Sequence, residues 1–161
     1  MSSVIVRIDG EPKAMGRPRA FVRGGHAAVY NPHTAEGWKS LVAAAFLPHL
    51  PQTPHESALC VDIDFYLPRP KRLCRKCDPD GPVPHTARPD RDNLDKTVLD
   101  ALKTIGFMRD DSLVCDGRIR KFYHAKADIP HAVVAITWAD GRRQSKIAAC
   151  NDLAGGIITG V

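Results

Sequence analysis

A chain of 161 residues suits one domain, because that length buries a core without disulfides or a structural metal. Its formal charge of +5 and pI near 9.1 favour a polyanionic partner, yet 18 acidic residues gather partly in the centre, a segregation that suits an enzyme holding phosphates around a divalent metal. No apolar run approaches the roughly 20 residues that span a bilayer, and an odd set of five cysteines behind a strand-like N-terminus points to a reducing cytoplasm, not a membrane.

Val4, Val6 and Ile8 alternate with Ile5, Arg7 and Asp9, which predicts a first strand ended by Gly10 and Pro12. Lys13-Ala14-Met15-Gly16-Arg17-Pro18-Arg19 then forms a stiff basic loop whose guanidinium groups suit phosphate oxygens, although an ordinary solvated loop explains it equally well. Val29 and Tyr30 suggest a short strand. Asn31-Pro32 and Thr34 signal a turn and a helix start, and Trp38, Leu41, Val42, Ala45 and Phe46 give that helix a structural apolar face that stops at Pro48. A loop through Ser57 follows.

Leu59, Val61, Ile63, Phe65 and Leu67 alternate with Cys60, Asp62, Asp64 and Tyr66, the clearest half-buried strand in the chain. Asp62 and Asp64 are a rival carboxylate pair, but outward acids on a sheet are commonplace and a structural role is favoured. From Pro68 to Pro89 the chain is rich in Pro, Arg, Lys and Gly around Cys74-Arg75-Lys76-Cys77, which predicts a mobile basic loop able to touch substrate. A lone CxxC lacks the second ligand pair of a structural zinc site. His85 and another cysteine would have to complete it, so zinc is not expected.

The loop leads into Arg88-Pro89-Asp90-Arg91-Asp92-Asn93-Leu94-Asp95-Lys96. Pro89 biases Arg88 toward an extended conformation, Asp92 or Asn93 is placed to cap the next helix, and Asp90 lies on the approach. Leu94, Val98, Ala101, Leu102 and Ile105 make one buried stripe, with Gly106 as a good C′ residue. At about 100° per residue, Lys96, Asp100 and Lys103 fall opposite that stripe. A turn back after Gly106 is expected to return Asp110 and Asp111 toward the sheet, and closure of the site needs them to reach the pocket of Asp90 and Asp92. Leu113 to Arg120 alternates as one strand with a basic face that continues toward Lys121 and Tyr123. His131 to Trp138 is the final strand, bounded by Asp140-Gly141, so residues 1–141 are expected as the domain and 142–161 as a tail.

Mg²⁺ prefers oxygen ligands, often uses few carboxylates and leaves positions for water and phosphate, and Asp90, Asp92 and Asp111 meet that need. A metal held there polarises a phosphodiester and lowers the pKa of an attacking water. Lys96 is placed to stabilise the pentacovalent transition state or orient the water. Its bland alternative is an (i, i+4) pair with Asp100 worth roughly 0.2–0.5 kcal/mol, just as Asp92 has a bland alternative as an N-cap.

With these residues in place, the chain resembles the RusA-like Holliday junction resolvases, endodeoxyribonucleases of phages and prophages. Their signature K/R-P-D-x-D-N-L-x-K stands here as Arg88 to Lys96, followed by Asp100-Ala101-Leu102, Gly106-Phe107, Asp110-Asp111-Ser112 and Val114. Gly16-Arg17-Pro18-Arg19 and the Tyr30 to Thr34 segment look like the phage-type members. The resemblance implies that Asp90, Asp92 and Asp111 are catalytic metal-binding carboxylates, that Lys96 is the essential lysine, and that Asp110 is secondary. It also implies a homodimer that makes paired nicks across a four-way DNA junction. The Cys74–Cys77 loop and the tail have no counterpart in it. The expectation is therefore an α+β single domain, a small mixed β-sheet packed with two main helices, acting as a Mg²⁺-dependent structure-selective DNA endonuclease, with Mn²⁺ as a substitute. Phosphate contacts are expected from Arg17, Arg19, Arg88, Arg118 and Lys121. The rival expectations are a non-catalytic DNA-binding protein of the same fold and a metal-dependent hydrolase of small phosphate compounds.

Overall fold

Alternating apolar residues place Ser2–Asp9 in the first strand, β1, with Val6 and Ile8 buried while Ile5 stays exposed. The computed structural model describes residues 1–16, 19–23, 26–30 and 35–139, with 19–23 and 26–30 described as backbone. Arg19–Arg23 (β2) and His26–Tyr30 (β3) pair antiparallel as a separate hairpin, in register from Arg19 opposite Tyr30 to Arg23 opposite His26. Only Val29 and Tyr30 of that hairpin were expected as strand. Gly24-Gly25 between the two runs is the overlooked signal, a dipeptide suited to a tight hairpin loop. Those two glycines, Arg17-Pro18, the expected turn at Asn31 to Thr34 and the proposed tail boundary near residue 141 lie outside the described residues.

Helix α1, Glu36–Phe46, buries Trp38, Val42 and Phe46 and leaves Leu41 exposed; a 3-10 turn over Leu47–His49 carries the chain past Pro48. Leu59–Leu67 forms β4, Val83–Pro84 the short β5, and Arg91–Thr104 helix α2. Val114–Asp116 (β6), Ile119–Tyr123 (β7) and His131–Trp138 (β8) complete the main sheet. Its order is β1-β8-β4-β7-β5, with β6 also on β4. β4 is antiparallel to β8 and parallel to both β6 and β7, so the sheet is mixed, as expected.

Parallel neighbours cannot be joined by a tight turn and need a crossover, here the segment that contains α2. The helix therefore runs back against β4, placing its first turn at the carboxyl ends of the parallel strands and its last turn at their amino ends. Two contacts agree with this course. Lys121, midway along β7 and opposite Phe65 near the end of β4, reaches the Pro89 carbonyl before α2 begins, and β6, just after the Asp110-Asp111 pair, opens opposite Leu59, the first residue of β4.

The core lies on one face of the sheet, where Leu59, Val61, Ile63, Phe65 and Leu67 of β4 meet Val42 and Phe46 of α1 and Leu94, Val98, Ala101 and Leu102 of α2. Each such fully buried Leu or Phe contributes about 1.5–3 kcal/mol relative to exposure. The predicted stripe of α2 is confirmed, with Thr97 buried in addition and Ile105 only partly covered at the C-cap. Gly106 takes φ +76°, its N–H donates to the Lys103 carbonyl and the Phe107 N–H to the Leu102 carbonyl, a Schellman ending that drives Phe107 into the core.

Two expectations need correction. The single strand read from Leu113 to Arg120 is two strands broken at Gly117. That glycine has φ +147°, and a Cβ on it would lie 1.9 Å from the Val61 carbonyl oxygen, so the chain bends where only glycine fits. Asp62 then accepts the Arg118 N–H at 2.6 Å, and Asp64 takes a bidentate pair from Arg120, which gives both rival acids structural partners.

The segment from Pro68 to Pro89 is not an unstructured basic loop either. It contains a 3-10 turn over Lys71–Leu73 and strand β5, and two inward cations tie it down. Arg69, only 9% exposed, donates to the carbonyls of Leu73, Pro79 and Gly81. Lys126 donates to those of Arg75 and Asp78 and pairs with Asp80. Alternating sequence patterns cannot reveal such spending of charge on loop carbonyls.

Candidate active site

The acidic motif is built around the first turn of α2. Asp90, with φ −71° and ψ 148°, occupies the N-cap, and its carbonyl accepts the first helical N–H, that of Leu94, at 3.3 Å. The cap was expected two or three residues later, at Asp92 or Asn93. Asp90 makes no capping hydrogen bond through its carboxylate, while Asp92 lies exposed within the first turn. Negative charge is favoured at this end by the helix dipole, and both residues are exposed. A cleft of about 460 Å³ opens here, lined by Arg88, Pro89, Asp90 and Asn93.

The approach to Asp90 is held from below. Lys121, half-buried on β7, donates to the Ala87 carbonyl at 2.9 Å and to the Pro89 carbonyl at 2.6 Å, bracketing the cis Arg88–Pro89 peptide. His85 is buried beside it, tilted against Tyr123, with its backbone N–H on the Lys121 carbonyl. Burial and the neighbouring Lys121 ammonium push the His85 pKa down, which keeps the ring neutral. On the other flank the Met15 N–H donates to the Asn93 carbonyl at 3.2 Å, so the basic segment after Gly10 abuts the motif directly.

Lys96 is exposed, one turn beyond Asp92 on the same helix face. Its expected structural partner is taken, since Asp100 lies 3.6 Å from Lys39 of α1. Lys96 makes no ion pair among the described residues. Lys103, two turns further along that face, pairs with Asp110 at 2.6 Å and stands 3.8 Å from Asp111. Asp110 also accepts the Ser112 N–H as the cap of the following 3-10 turn. The Lys103 contact first, and the Ser112 contacts after it, hold the Asp110 carboxyl well below the usual carboxylate range. Asp110 is thus a structural acid, and Asp111 beside it is exposed.

Within one chain, these residues do not form a single cluster. Asp90 and Asp92 sit at the first turn of α2, whereas Asp111 sits at its last, and 14 residues of helix span roughly 21 Å. No three His, Cys, Asp or Glu side chains come together as a metal site among the described residues. The expected return of Asp111 to the pocket of Asp90 and Asp92 is therefore not seen. Asp90, which lines the cleft, and Asp92, exposed in the first turn beside it, are hard oxygen donors that fit a Mg²⁺-type ion keeping most of its positions for water and phosphate.

Of the five cations expected to meet phosphate, Arg88 lines the cleft. Arg118 is exposed at the Gly117 break, and the Lys121 ammonium is committed to loop carbonyls. Arg19 opens β2, where only the backbone is described, and Arg17 lies outside the described residues. Lys121 as a clamp and Lys103 as the partner of the Asp110-Asp111 pair were missed in these roles. The outward register of Lys103 was legible on the helical wheel, but its partner was not.

The sequence profile of the family Endodeoxyribonuclease RusA matches residues 9–137. A Bacillus subtilis (strain 168) relative, named "Uncharacterized protein YqaN", is 33% identical over 128 residues, covering 76% of this chain and 89% of its own length.

Proposed function

Because the chain belongs to the RusA endodeoxyribonuclease family, we propose that it resolves four-way DNA junctions as a homodimer, by Mg²⁺-dependent paired nicks in which Asp90, Asp92, Asp111 and Lys96 carry the chemistry. Membership makes it an endodeoxyribonuclease of the Holliday junction type. The observation that supports the finer reading is the first turn of α2, where Asp90 lines an open cleft with Arg88 and Asn93, and Asp92 and a Lys96 without an ion pair among the described residues lie exposed on the same helix.

Asp90 and Asp92 are the residues that would hold the metal, and when bound it would activate water and offset charge on the scissile phosphate. Arg88 orients the phosphate at the cleft mouth through its fork of donors. Lys96, on the same exposed face, stabilises the negative charge that develops on the non-bridging oxygens. Asp111 stands at the far end of α2 in its own chain, so its share in catalysis calls for Asp111 of a second copy. A twofold dimer supplies it, and at the same time supplies two cutting sites for a substrate of approximate twofold symmetry.

Nicking of a synthetic four-way junction in Mg²⁺ tests this reading. Asp90→Asn, Asp92→Asn and Asp111→Asn should each lose nicking while keeping junction binding. Mixed dimers of Asp92→Asn with Asp111→Asn chains should regain one cutting site and nick one strand. If each pure variant is inactive and the mixed dimers stay inactive too, Asp111 acts within its own chain. If the three variants cut at the wild-type rate, these carboxylates are not the site. A non-catalytic DNA-binding protein is favoured if the wild type binds junctions and never nicks them, and a small-phosphate hydrolase if nucleotides are turned over instead.

A further inference from the structure

We propose that the loop between Pro68 and Pro84 is a preorganised phosphate-binding knuckle that grips the duplex arm next to the cutting site; this rests on the junction reading above. The loop separates its charges into two sets. Arg69 of the loop and Lys126, from beyond β7, point inward and are consumed by loop carbonyls, and Asp78 and Asp80 are occupied too, by the Arg75 N–H and by Lys126. Lys71, Arg72, Arg75 and Lys76 are all exposed, and their side chains make no ion pair among the described residues. The loop thus turns a fixed backbone inward and four cations outward. Ordering such long side chains on a tethered turn costs less on binding than recruiting them from a flexible segment.

Position supports a DNA arm as the occupant. The inward Lys126 follows β7 by a few residues, and Lys121 on β7 holds the approach to Asp90. Five residues of extended chain span at most about 18 Å, and DNA rises about 3.4 Å per base pair, so the Lys126 anchor of the knuckle lies within about five base pairs of Lys121 beneath the cleft. That spacing lets one arm touch both. The Cys74 and Cys77 thiols are free and exposed on the same turn, which makes them convenient reporters of its contacts.

The test measures junction binding in EDTA as a function of salt, with nicking in Mg²⁺ assayed separately. A variant with Lys71→Gln, Arg72→Gln, Arg75→Gln and Lys76→Gln should bind more weakly at 0.15 M salt. Its slope of log K against log salt should fall by about 0.9 for each phosphate contact removed, a total of two to four. At saturating protein its single-turnover nicking rate should match the wild type. Arg69→Met, which removes only a buried cation, should weaken binding at 0.15 M salt by releasing the turn while keeping most of the slope, because the four outward cations remain, and Lys126→Met serves in its place if that variant does not fold. An unchanged slope in the quadruple variant overturns the knuckle. A wild type that neither binds nor nicks junctions overturns the functional reading instead, so the two failures are distinguishable.

Discussion

Replacing Lys121 by Met keeps the aliphatic stem and removes the ammonium that brackets the Arg88–Pro89 turn. Two hydrogen bonds from a charged donor disappear, at 2.9 and 2.6 Å. Each is worth about 1.5–3 kcal/mol when dry, but the site is half-buried and water can reach the released carbonyls, so about 1–2 kcal/mol in total is the reasonable loss. If that loss frees the turn to wander, the fraction of chains with Asp90 correctly aimed drops about 5- to 30-fold, since 1.4 kcal/mol is tenfold. The single-turnover nicking rate at saturating protein should fall by that factor, the Mg²⁺ concentration for half-maximal rate should rise, and the melting temperature should drop by a few degrees. The salt slope of junction binding should not change. A Lys121→Met protein that nicks at the wild-type rate but loses about 0.9 from its salt slope would refute the clamp and make Lys121 a phosphate ligand.

Lys96→Ala should lose nicking with a melting temperature within about a degree of wild type, as the side chain is exposed and unpaired among the described residues; a large thermal shift would assign it to structure. Gly117→Ala should cost about 3 kcal/mol or more, because both the positive φ and the 1.9 Å approach to the Val61 oxygen exclude a methyl group, and denaturant melts showing less than about 1 kcal/mol would contradict the geometry. His85 has a lowered pKa, so its neutral form stabilises the fold above pH 6.5, and that contribution is lost as pH falls through the lower folded value. Urea melts should therefore weaken from pH 6.5 downward in the wild type, and His85→Phe should flatten that part of the profile; equal slopes in both proteins would remove His85 from the account.

What could be read in advance follows the range of the interactions involved. β1, β4 and the stripe of α2 are written as period-two and period-3.6 patterns, β8 as an apolar run bounded by a turn signal, and Gly106 announced its own cap. The break at Gly117 was hidden because Leu113 to Arg120 keeps alternating in sequence while the backbone skips at one position, and only the proximity of Val61 explains it. The same limit applies at the site. Asp90, Asp92 and Lys96 are close in sequence and one helix turn fixes their relation, whereas the relation of Asp111 to them depends on the direction in which α2 crosses the sheet. Lys121 and Arg118 are both cations on a basic stretch, and nothing local says that one turns to loop carbonyls and the other stays exposed.

The wiring of the sheet also bears on how the chain acquires its shape. Among the described residues the first strand in chain order, β1, pairs along its whole length with the last, β8, Ser2 opposite Trp138 and Asp9 opposite His131. β8 in turn fills the gap between β1 and β4. Until residues 131–138 are in place, β1 has no neighbour in the main sheet among the described strands and β4 keeps one edge open, so the chain must shelter two hydrophobic strand edges while residues 68–130 are made. Closing so large a loop before its contacts reward it places refolding on the order of milliseconds to seconds, and it makes truncations before β8 prone to associate edge to edge rather than to fold.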